Sequence, residues 1–258
     1  MLENKKLPLF ENEFTKIGDA ILSWRNDETI REVLEPKEFK TVADKKAHDS
    51  ICNLIKETFG DVTILSEEED IIEIERPNKY WLIDPIDGTA SWYDGFDGFV
   101  TQAAYIENDV PIYGIVYAPA MNKLWTAVIG EGAFLNGKQL QPFQESNRLN
   151  LIDNYPEPKR IAKIITEQLV VDKYIECGSL GLKSCMVAAG IADLFVKDVV
   201  IRDWDIAPVI RIIEELNGFV TDLTGKKIVL TGSFVKENGL VVSRSLKLVQ
   251  DIVNLERV

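Results

Sequence analysis

Acidic side chains occur in four short segments of the 258-residue chain, at positions that could place several carboxylates around a cation. They are Asp44, the run Glu67 to Glu69, Asp84 with Asp87, and Asp205. Hard cations such as Mg²⁺ take oxygen ligands, usually a few carboxylates completed by water and a substrate phosphate. The sequence has a single His and no CxxC pair, which disfavours zinc or copper. The pattern therefore suits Mg²⁺.

The DPIDGT segment combines two carboxylates with a backbone suited to a phosphate group. Asp84 and Asp87 are three residues apart and could point at adjacent ions. The proline between them fixes its own φ and has no N–H, which leaves the carbonyl of Ile86 free to bind a cation. Gly88 lets the backbone approach a phosphate closely, and Thr89 adds a hydroxyl group.

Apolar periodicity predicts the elements that position these residues. The predicted helices cover 10–24, 43–59, 160–169, 182–189, 206–216 and 246–255. The predicted strands cover 62–65, 80–83, 99–106, 112–118, 124–129, 133–135, 193–196, 219–221 and 240–242. Thr41 to Asp44 has the form of a capping box for the second helix. The segments at Glu67 and Asp84 each follow a predicted strand, where open α/β sheets bind ligands.

The order of these elements divides the chain into two halves. Residues 1–145 form an α+β half with the first acidic motifs and an antiparallel series of strands. Residues 146–258 alternate helices and strands and contribute Asp205 and substrate contacts. A polar stretch near 144–150 marks the seam. We predict that both halves share one layered α/β architecture.

The composition limits the classes of function. A net charge of −13, from 29 Lys and Arg against 42 Asp and Glu, argues against binding to nucleic acid polymers or anionic membranes. The longest uncharged run, 110–122, is too short to span a membrane, and the first residues lack the apolar stretch of a signal peptide. Three cysteines without a CxxC spacing do not suggest a disulfide framework. We expect a soluble, cytoplasmic protein.

Three motifs of the chain resemble those of the inositol monophosphatase superfamily, which comprises Mg²⁺-dependent, lithium-sensitive phosphatases. They are LSEE ending at Glu68, WLIDPIDGT ending at Thr89, and the WD pair ending at Asp205, in the family's order. GIVYAP from Gly114 and GSLGLK from Gly178 are also similar to family segments. The resemblance extends over about 39–222. It implies stacked helix and sheet layers, action on a small phosphorylated metabolite, and a homodimer.

The resemblance also implies a set of metal ligands. A first Mg²⁺ would be held by Glu67, Asp84 and the carbonyl of Ile86. A second would be held by Asp84, Asp87 and Asp205. A third, weaker ion is implied near Glu67, so that the resemblance calls for two or three Mg²⁺ ions.

The same resemblance assigns the reacting groups. Backbone amides of Gly88 and Thr89 would hold the phosphate. Thr89, assisted by Glu67 or Asp44, would orient and deprotonate the attacking water. The second ion would stabilise the leaving oxygen in an in-line displacement, as in other two-metal phosphoryl transfers.

Candidates for further substrate contacts are Gly178, Ser179, Lys183 and Asp198. Ser179 has no accompanying His for a serine hydrolase, because the single His, His48, lies on a predicted helix elsewhere. Lys183 could equally be a solvated residue in the first turn of a helix.

Each acidic motif also has a purely structural interpretation. Asp205 could be the N-cap of its helix, and Asp44 could do no more than cap its own. The acidic run from Glu67 could be a solvated turn, and DPIDGT an ordinary Asp-Pro turn. The occurrence of all four motifs in the family's order favours a joint site.

The substrate class is the least determined feature. LSEE, GSLGLK and WDIAP are closer to 3′(2′),5′-bisphosphate nucleotidases than to inositol monophosphatases. We therefore expect conversion of adenosine 3′,5′-bisphosphate to AMP and phosphate. The alternative is inositol-1-phosphate or another polyol, sugar or histidinol phosphate. For that alternative, Asp198 could bind the inositol hydroxyl groups, although Lys197 aligns equally well with the acidic residue that does so in the family. A non-catalytic binding or regulatory protein is less favoured, because Thr89, Glu67 and Asp44 are all present.

Overall fold

A computed structural model describes residues 2–35, 39–69, 75–144 and 147–256. The helices in these ranges are α1 (Leu7–Ser23), α2 (Val42–Phe59), α3 (Thr89–Tyr93), α4 (Ile161–Gln168), α5 (Leu180–Ala188), α6 (Asp203–Glu214) and α7 (Leu246–Val253). The strands are β1 (Val33–Glu35), β2 (Lys40–Thr41), β3 (Ile64–Ser66), β4 (Lys79–Asp87), β5 (Val100–Glu107), β6 (Val110–Ala118), β7 (Lys123–Val128), β8 (Gly132–Leu135), β9 (Lys138–Gln139), β10 (Asn150–Asp153), β11 (Lys173–Glu176), β12 (Leu194–Lys197), β13 (Ile201–Arg202), β14 (Phe219–Thr221), β15 (Val235–Lys236) and β16 (Leu240–Ser243).

The first half of the chain builds a seven-stranded sheet in the order β3-β4-β5-β6-β7-β8-β9. β3 and β4 are parallel, and each later pair is antiparallel. Neighbouring side chains of a strand face opposite sides. Trp81 and Ile83 of β4 accordingly pack with residues of α1 and α2, whereas Tyr80 and Leu82 pack with residues of α5 and α6.

The second half builds a five-stranded sheet in the order β11-β10-β12-β16-β14. β10 runs parallel to both β11 and β12, so these three strands end at the same edge. Ile152 and Phe195 belong to the core that contains α5 and α6, whereas Leu151 and Val196 pack with α4 and α7. The layers therefore run helix, sheet, helix, sheet, helix. This confirms the predicted layered α/β fold.

Helix α6 contacts the seven-stranded sheet at a point where only glycine fits. A Cβ atom at Gly114 of β6 would lie 2.4 Å from the carbonyl oxygen of Pro208 in α6. The close approach brings the first turn of α6, with Asp205, toward the end of β4.

Several sequence predictions are corrected by the structure. Asp205 is not the N-cap of its helix: α6 begins at Asp203, and the Asp205 carboxylate accepts a hydrogen bond from the Arg202 N–H at 2.8 Å, inside the first turn. Helix α3 and seven strands were not predicted, because each is short or carries polar residues: β1, β2, β9, β10, β11, β13 and β15. The proposed boundary between residues 145 and 146 lies outside the described residues.

The α-helices in the described part of the chain are between 5 and 18 residues long. Within the described ranges, none of them combines the length and the apolar character needed to cross a bilayer.

Candidate active site

Asp44 connects the start of α2 to the DPIDGT segment. Its Oδ2 accepts hydrogen bonds from the Thr41 N–H at 2.7 Å and the Thr41 hydroxyl at 2.6 Å, while the Ala43 N–H donates to Thr41 Oγ1 at 3.2 Å. The predicted capping box is thus confirmed. The other oxygen, Oδ1, accepts from the Thr89 hydroxyl at 2.9 Å. Asp44 therefore caps its helix and also contacts the predicted nucleophile-orienting residue.

The turn between β4 and α3 presents Thr89 to this carboxylate. Gly88 has φ +92°, and a Cβ atom there would lie 2.9 Å from Cβ of Ser179, so the turn requires glycine. Thr89 Oγ1 also lies 3.0 Å from the carbonyl oxygen of Ile86. Because the threonine proton is directed to these acceptors, the oxygen lone pairs remain for another donor.

Asp84, Asp87 and Glu67 are brought together at the ends of β3 and β4. Asp84 is 1% exposed and its Oδ1 has no hydrogen-bond partner. Burial, and then the charges of Glu67, Asp87 and Asp205, raise the pKa of Asp84 well above its usual value. Burial also raises the pKa of Glu67 and of Asp87. Simultaneous ionisation of these carboxyl groups is therefore disfavoured in the protein alone, and Asp84 shares a hydrogen bond with the Glu67 carboxyl that lowers the pKa of Glu67.

Asp205 joins this group from α6. Burial, followed by the charges of Asp87 and Glu67, raises the pKa of Asp205 well above its usual value. The hydrogen bond from the Arg202 N–H acts in the opposite direction. The structure thus brings together the four carboxylates that the resemblance names as metal ligands.

Gln102 on β5 is a residue of the site that sequence reasoning missed. It is fully buried, and its Nε2 lies 3.3 Å from Asp84 Oδ2 and 3.5 Å from Asp87 Oδ2. The same amide lies 3.2 Å from the carbonyl oxygen of Trp204, which has no helical donor because Pro208 lacks an N–H. A glutamine inside the apolar run FVTQAAYI was the available signal. Gln102 links the two aspartates to α6.

The loop after β11 lies against the other side of Asp87. The Gly181 N–H donates to Asp87 Oδ2 at 2.6 Å, and the Ser179 hydroxyl also donates to this carboxylate. Both bonds counteract the effect of burial on the pKa of Asp87. Gly178 packs directly on the backbone of Gly98, and the Ser179 N–H donates to the Gly98 carbonyl at 2.7 Å.

Lys183 is a buried residue and not a solvated one. It is 1% exposed, and its ammonium donates to Asn154 Oδ1 at 2.5 Å and to the carbonyl of Gly178. Burial lowers the pKa of Lys183 to about 8, while the charge of Asp87 acts in the opposite direction. Gly178, Ser179 and Lys183 therefore lie together beside the acidic group.

Asp198, the remaining site candidate, contacts Arg160. Its Oδ2 forms an ion pair with Nε of Arg160 at 3.2 Å, and its carbonyl oxygen accepts from the same guanidinium. The preceding residue, Lys197, instead donates to Asp153 Oδ1 at 3.0 Å and to Asn154 Oδ1 at 3.3 Å. Because Asn154 also contacts Lys183, this side chain connects Lys197 to Lys183.

Two further interactions support the Glu67 segment and were also missed. The Lys40 ammonium donates to the carbonyl of Glu67 at 2.8 Å and lies 3.7 Å from the carboxylate of Glu68. His48 Nδ1 lies 2.9 Å from the hydroxyl of Ser66, the residue before Glu67. These contacts hold the end of β3 in place.

The donor set fits hard divalent cations. Its ligand atoms are carboxylate and carbonyl oxygens, its negative charges are close together, and Asp84 Oδ1 is a buried oxygen without a partner. Among the described residues, no three His, Cys, Asp or Glu side chains already have the spacing of ligands around one ion. The chemistry of the residues thus matches a hard divalent cation such as Mg²⁺.

Comparisons with known proteins identify the family of the chain. The sequence profile of the Inositol monophosphatase family matches residues 9–255. This chain belongs to the inositol monophosphatase family. It is 30% identical over 242 residues to the fructose-1,6-bisphosphatase/inositol-1-monophosphatase of Thermotoga maritima, a match that covers 92% of this chain and 93% of that protein.

Two other relatives show the same extent of similarity. Inositol monophosphatase 1 of Bos taurus is 30% identical over 248 residues, covering 90% of this chain and 89% of that protein. The solved structure of a Thermotoga maritima IMPase is 29% identical, covers 97% of both chains and gives a TM-score of 0.80. The predicted family membership is therefore confirmed, and the chain is a phosphoric monoester hydrolase of this metal-dependent family.

Proposed function

We propose that the protein hydrolyses a small phosphate monoester with Mg²⁺ and an activated water, and that its substrate is a 3′(2′),5′-bisphosphate nucleotide. The observation that carries the reaction is the hydrogen bond from Thr89 to Asp44 beside four carboxylates of like charge. A purely structural cluster has no reason to keep those carboxylates together.

The ligands divide into two overlapping sets. Glu67, Asp84 and the carbonyl of Ile86 would hold one Mg²⁺. Asp84, Asp87 and Asp205 would hold another, and a third, weaker ion would lie near Glu67. When bound, the ions neutralise charge on the phosphate and on the leaving oxygen, and lower the pKa of water.

The chain's own groups orient the attack. Thr89 donates its proton to Asp44, which turns the lone pairs of Oγ1 outward so that a water can donate to them. Asp44 is buried, and burial raises its pKa, so it is suited to accept a proton through Thr89, with Glu67 as the alternative acceptor. The N–H groups of Gly88 and Thr89, at the start of α3, bind the phosphate oxygens. A bound water would protonate the leaving alkoxide.

The placement of Asp198 and Lys197 supports a nucleotide substrate. A carboxylate binds the hydroxyl groups of a polyol by accepting hydrogen bonds from them. The Asp198 carboxylate instead forms an ion pair with Arg160. A lysine occupies the position next to the site, where it suits an anionic group. The similarity of LSEE, GSLGLK and WDIAP to bisphosphate nucleotidases points to the same class.

The second candidate is a polyol, sugar or histidinol phosphate, with inositol-1-phosphate first. The activities named for two relatives, inositol monophosphatase 1 and fructose-1,6-bisphosphatase/inositol-1-monophosphatase, favour it. The acidic residues Asp94 and Glu176, which line a cavity beside Gly178, suit hydroxyl groups.

The deciding experiment measures phosphate release from adenosine 3′,5′-bisphosphate and inositol-1-phosphate in parallel, with Mg²⁺ and with EDTA. Preference for the nucleotide, abolished by EDTA, is the expected result. Preference for inositol-1-phosphate would change the proposed substrate but leave the proposed mechanism unaffected. Release that persists in EDTA would contradict the Mg²⁺ mechanism. If neither these two substrates nor sugar phosphates release phosphate, a binding role would be favoured.

Thr89 provides a matched pair of variants for the mechanism. Thr89→Ser keeps the hydroxyl and should retain most of kcat, whereas Thr89→Ala should lose about a hundredfold or more, as expected for removal of a general acid–base contact. Equal activity of the two variants would remove Thr89 from the mechanism. A homodimer and a cytoplasmic location stay predictions, to be tested by sedimentation and by cell fractionation.

A further inference from the structure

We propose that Gln102 is a positioning residue that controls the binding of the second cation. This inference rests on the proposed phosphatase function and deepens it, since it concerns how one of the two cation sites is formed. Gln102 would not bind the ion itself. It would hold two of the ion's ligand residues, Asp87 on β4 and Asp205 on α6, at a fixed separation.

The amide group of Gln102 contacts two elements of the fold at once. Toward β4, its Nε2 lies 3.3 Å from Asp84 Oδ2 and 3.5 Å from Asp87 Oδ2. Toward α6, the same atom lies 3.2 Å from the carbonyl oxygen of Trp204 and 3.3 Å from that of Asp205. The two N–H bonds of the amide are therefore shared among four acceptors. Gln102 thereby joins the carboxylates of β4 to the first turn of α6.

The orientation of the amide follows from these neighbours. All four are acceptors, so an exchange of the amide nitrogen and oxygen would turn an oxygen toward four other oxygens. The orientation that avoids this leaves Oε1 of Gln102 buried and, within the described ranges, without a hydrogen-bond partner. A buried acceptor without a partner lowers stability. The donor function of the amide therefore outweighs this loss.

The backbone of α6 requires a donor at this point. A helical carbonyl accepts from the N–H four residues later, and Pro208, four residues after Trp204, has no N–H. Gln102 supplies the missing donor to the Trp204 carbonyl. The next residue of the same turn is Asp205, so this bond also determines where that carboxylate lies relative to β4.

Helix α5 packs against the amide and the carboxylate together. A Cβ atom at Gly181 would lie 2.5 Å from Gln102 Oε1 and 2.8 Å from Asp87 Oδ2. The Gly181 N–H donates to that carboxylate oxygen at 2.6 Å. Because one glycine packs directly on both groups, a movement of the amide is coupled to a movement of the Asp87 carboxylate.

The neutral charge of Gln102 suits a cation site. The amide supplies N–H donors without a positive charge, so it orders the carboxylates and leaves their negative charge for ions. Asp203, in the same turn of α6, shows the contrast, because Arg76 and Lys236 balance its charge. A lysine or arginine in place of Gln102 would compete with the cation.

The contacts of Gln102 coincide with the ligand residues of one ion. Its neighbours on β4 and α6 include the three aspartates proposed to hold the second cation. Glu67, proposed for the first cation, is supported by Lys40, which donates to its carbonyl oxygen at 2.8 Å. Loss of the amide should therefore weaken the second ion and spare the first.

The test counts the Mn²⁺ ions bound to the full protein, with the EPR signal of free Mn²⁺ as the readout. Mn²⁺ takes the same oxygen ligands as Mg²⁺. Gln102→Met keeps the length of the side chain and lacks the N–H donors. It should weaken the second ion about tenfold to a hundredfold, the usual loss when a group that orients metal ligands is removed. Thr101→Val is the matched control on β5. It removes a buried hydroxyl that has no partner among the described residues, and should bind both ions as the wild type does.

Two reference variants identify which ion is weakened. Asp205→Asn removes a carboxylate proposed for the second ion, and Glu67→Gln removes one proposed for the first. The Mn²⁺ titration of Gln102→Met should resemble that of Asp205→Asn. Combining these two changes should weaken binding by less than the product of their separate effects, because both act on the same ion. A titration that resembles Glu67→Gln, or effects that multiply fully, would overturn the assignment.

A loss of fold would also reduce metal binding, and Pro208→Ala separates the two causes. This change restores a helical N–H for the Trp204 carbonyl, so that α6 no longer needs the donor from Gln102. Pro208→Ala with Gln102→Met should melt in EDTA as Pro208→Ala alone does, and should still bind the second ion weakly. Recovery of the second ion in this double variant would mean that Gln102 only satisfies Trp204, and would overturn the inference.

Failure of the inference is distinguishable from failure of the proposed function. If the wild type binds fewer than two Mn²⁺ ions, the two-metal mechanism is wrong and the role of Gln102 is wrong with it. If the wild type binds two ions and Gln102→Met binds both with the same affinities, the mechanism is unaffected and only the role of Gln102 is overturned.

Discussion

Two carboxylates in the first turn of α6 have opposite surroundings. Asp203 is fully buried, with Arg76 and Lys236 as ion-pair partners, the latter at 3.4 Å. Asp205, two residues later, faces Asp87 and Glu67. Burial raises the pKa of both groups, but the neighbours of Asp203 counteract this effect, whereas the two acids near Asp205 reinforce it.

The difference distinguishes a carboxylate that stabilises the fold from a carboxylate that is suited to bind a cation. A buried carboxylate paired with side-chain cations is balanced within the fold, and it holds segments together. A carboxylate whose main electrostatic neighbours are other carboxylates is balanced only when a cation arrives from outside. Asp84 is the extreme case, since burial and every named neighbour raise its pKa. The electrostatics of the acidic group therefore support the proposed cation site independently of its motifs.

The largest effect is expected for Asp87→Asn. Loss of one charge from the second cation's ligands should reduce kcat by about a thousandfold or more. The fold should remain, because asparagine keeps an oxygen to accept from the Gly181 N–H. Phosphate release and a urea melt measure the two properties. Activity near that of the wild type would contradict the two-metal assignment.

The next effect concerns stability and uses the matched pair in α6. Asp203→Asn should lower the free energy of unfolding by about 3 kcal/mol, because it leaves Arg76 and Lys236 without their shared carboxylate. Asp205→Asn should not destabilise the EDTA-treated protein, because it relieves repulsion with Asp87 and Glu67. Urea unfolding in EDTA compares them. Equal destabilisation by both would show that the distinction is wrong.

Mg²⁺ itself should stabilise the protein, since it balances the acidic group only in the folded state. At a concentration one hundred times its Kd, a single bound ion should add about 2.7 kcal/mol to the free energy of unfolding. EDTA should reverse the gain, and NaCl at equal ionic strength should not reproduce it. The gain should shrink in Asp87→Asn. A melting temperature that does not change when Mg²⁺ is added would argue against the proposed site.

The acidic residues were easier to identify from the sequence than the residues that contact and position them. Asp44, Asp84, Asp87 and Asp205 lie at ends of helices and strands, which apolar periodicity locates well. Gln102 contributes through a β-strand that is apolar on both faces, and only the pairing of β5 with β4 places it beside the aspartates.

The residues predicted to determine substrate specificity depend more on contacts with distant parts of the chain. Asp198 and Lys197 are adjacent in sequence, and a shift of one residue in a strand exchanges the face to which each side chain points. The pairing of β12 with β10 places Lys197 near Asp153 and Asn154, whereas Asp198 forms an ion pair with Arg160. Neither interaction has a signature in the sequence near residue 198.

The smallest effect is a pH dependence that belongs to the acidic group alone. Asp84 and Asp205 have folded-state pKa values well above those of the unfolded chain, so the folded protein binds more protons. The stability of the EDTA-treated protein should therefore be greatest below the ordinary carboxyl pKa and fall as pH rises toward the raised values. Each such carboxyl contributes up to about 1.4 kcal/mol per pH unit. Urea unfolding in EDTA between pH 5 and 7 measures this slope, and Asp84→Asn should make it shallower. Stability that rises over this range, with no change in Asp84→Asn, would mean that the carboxylates are already balanced by the protein and need no cation.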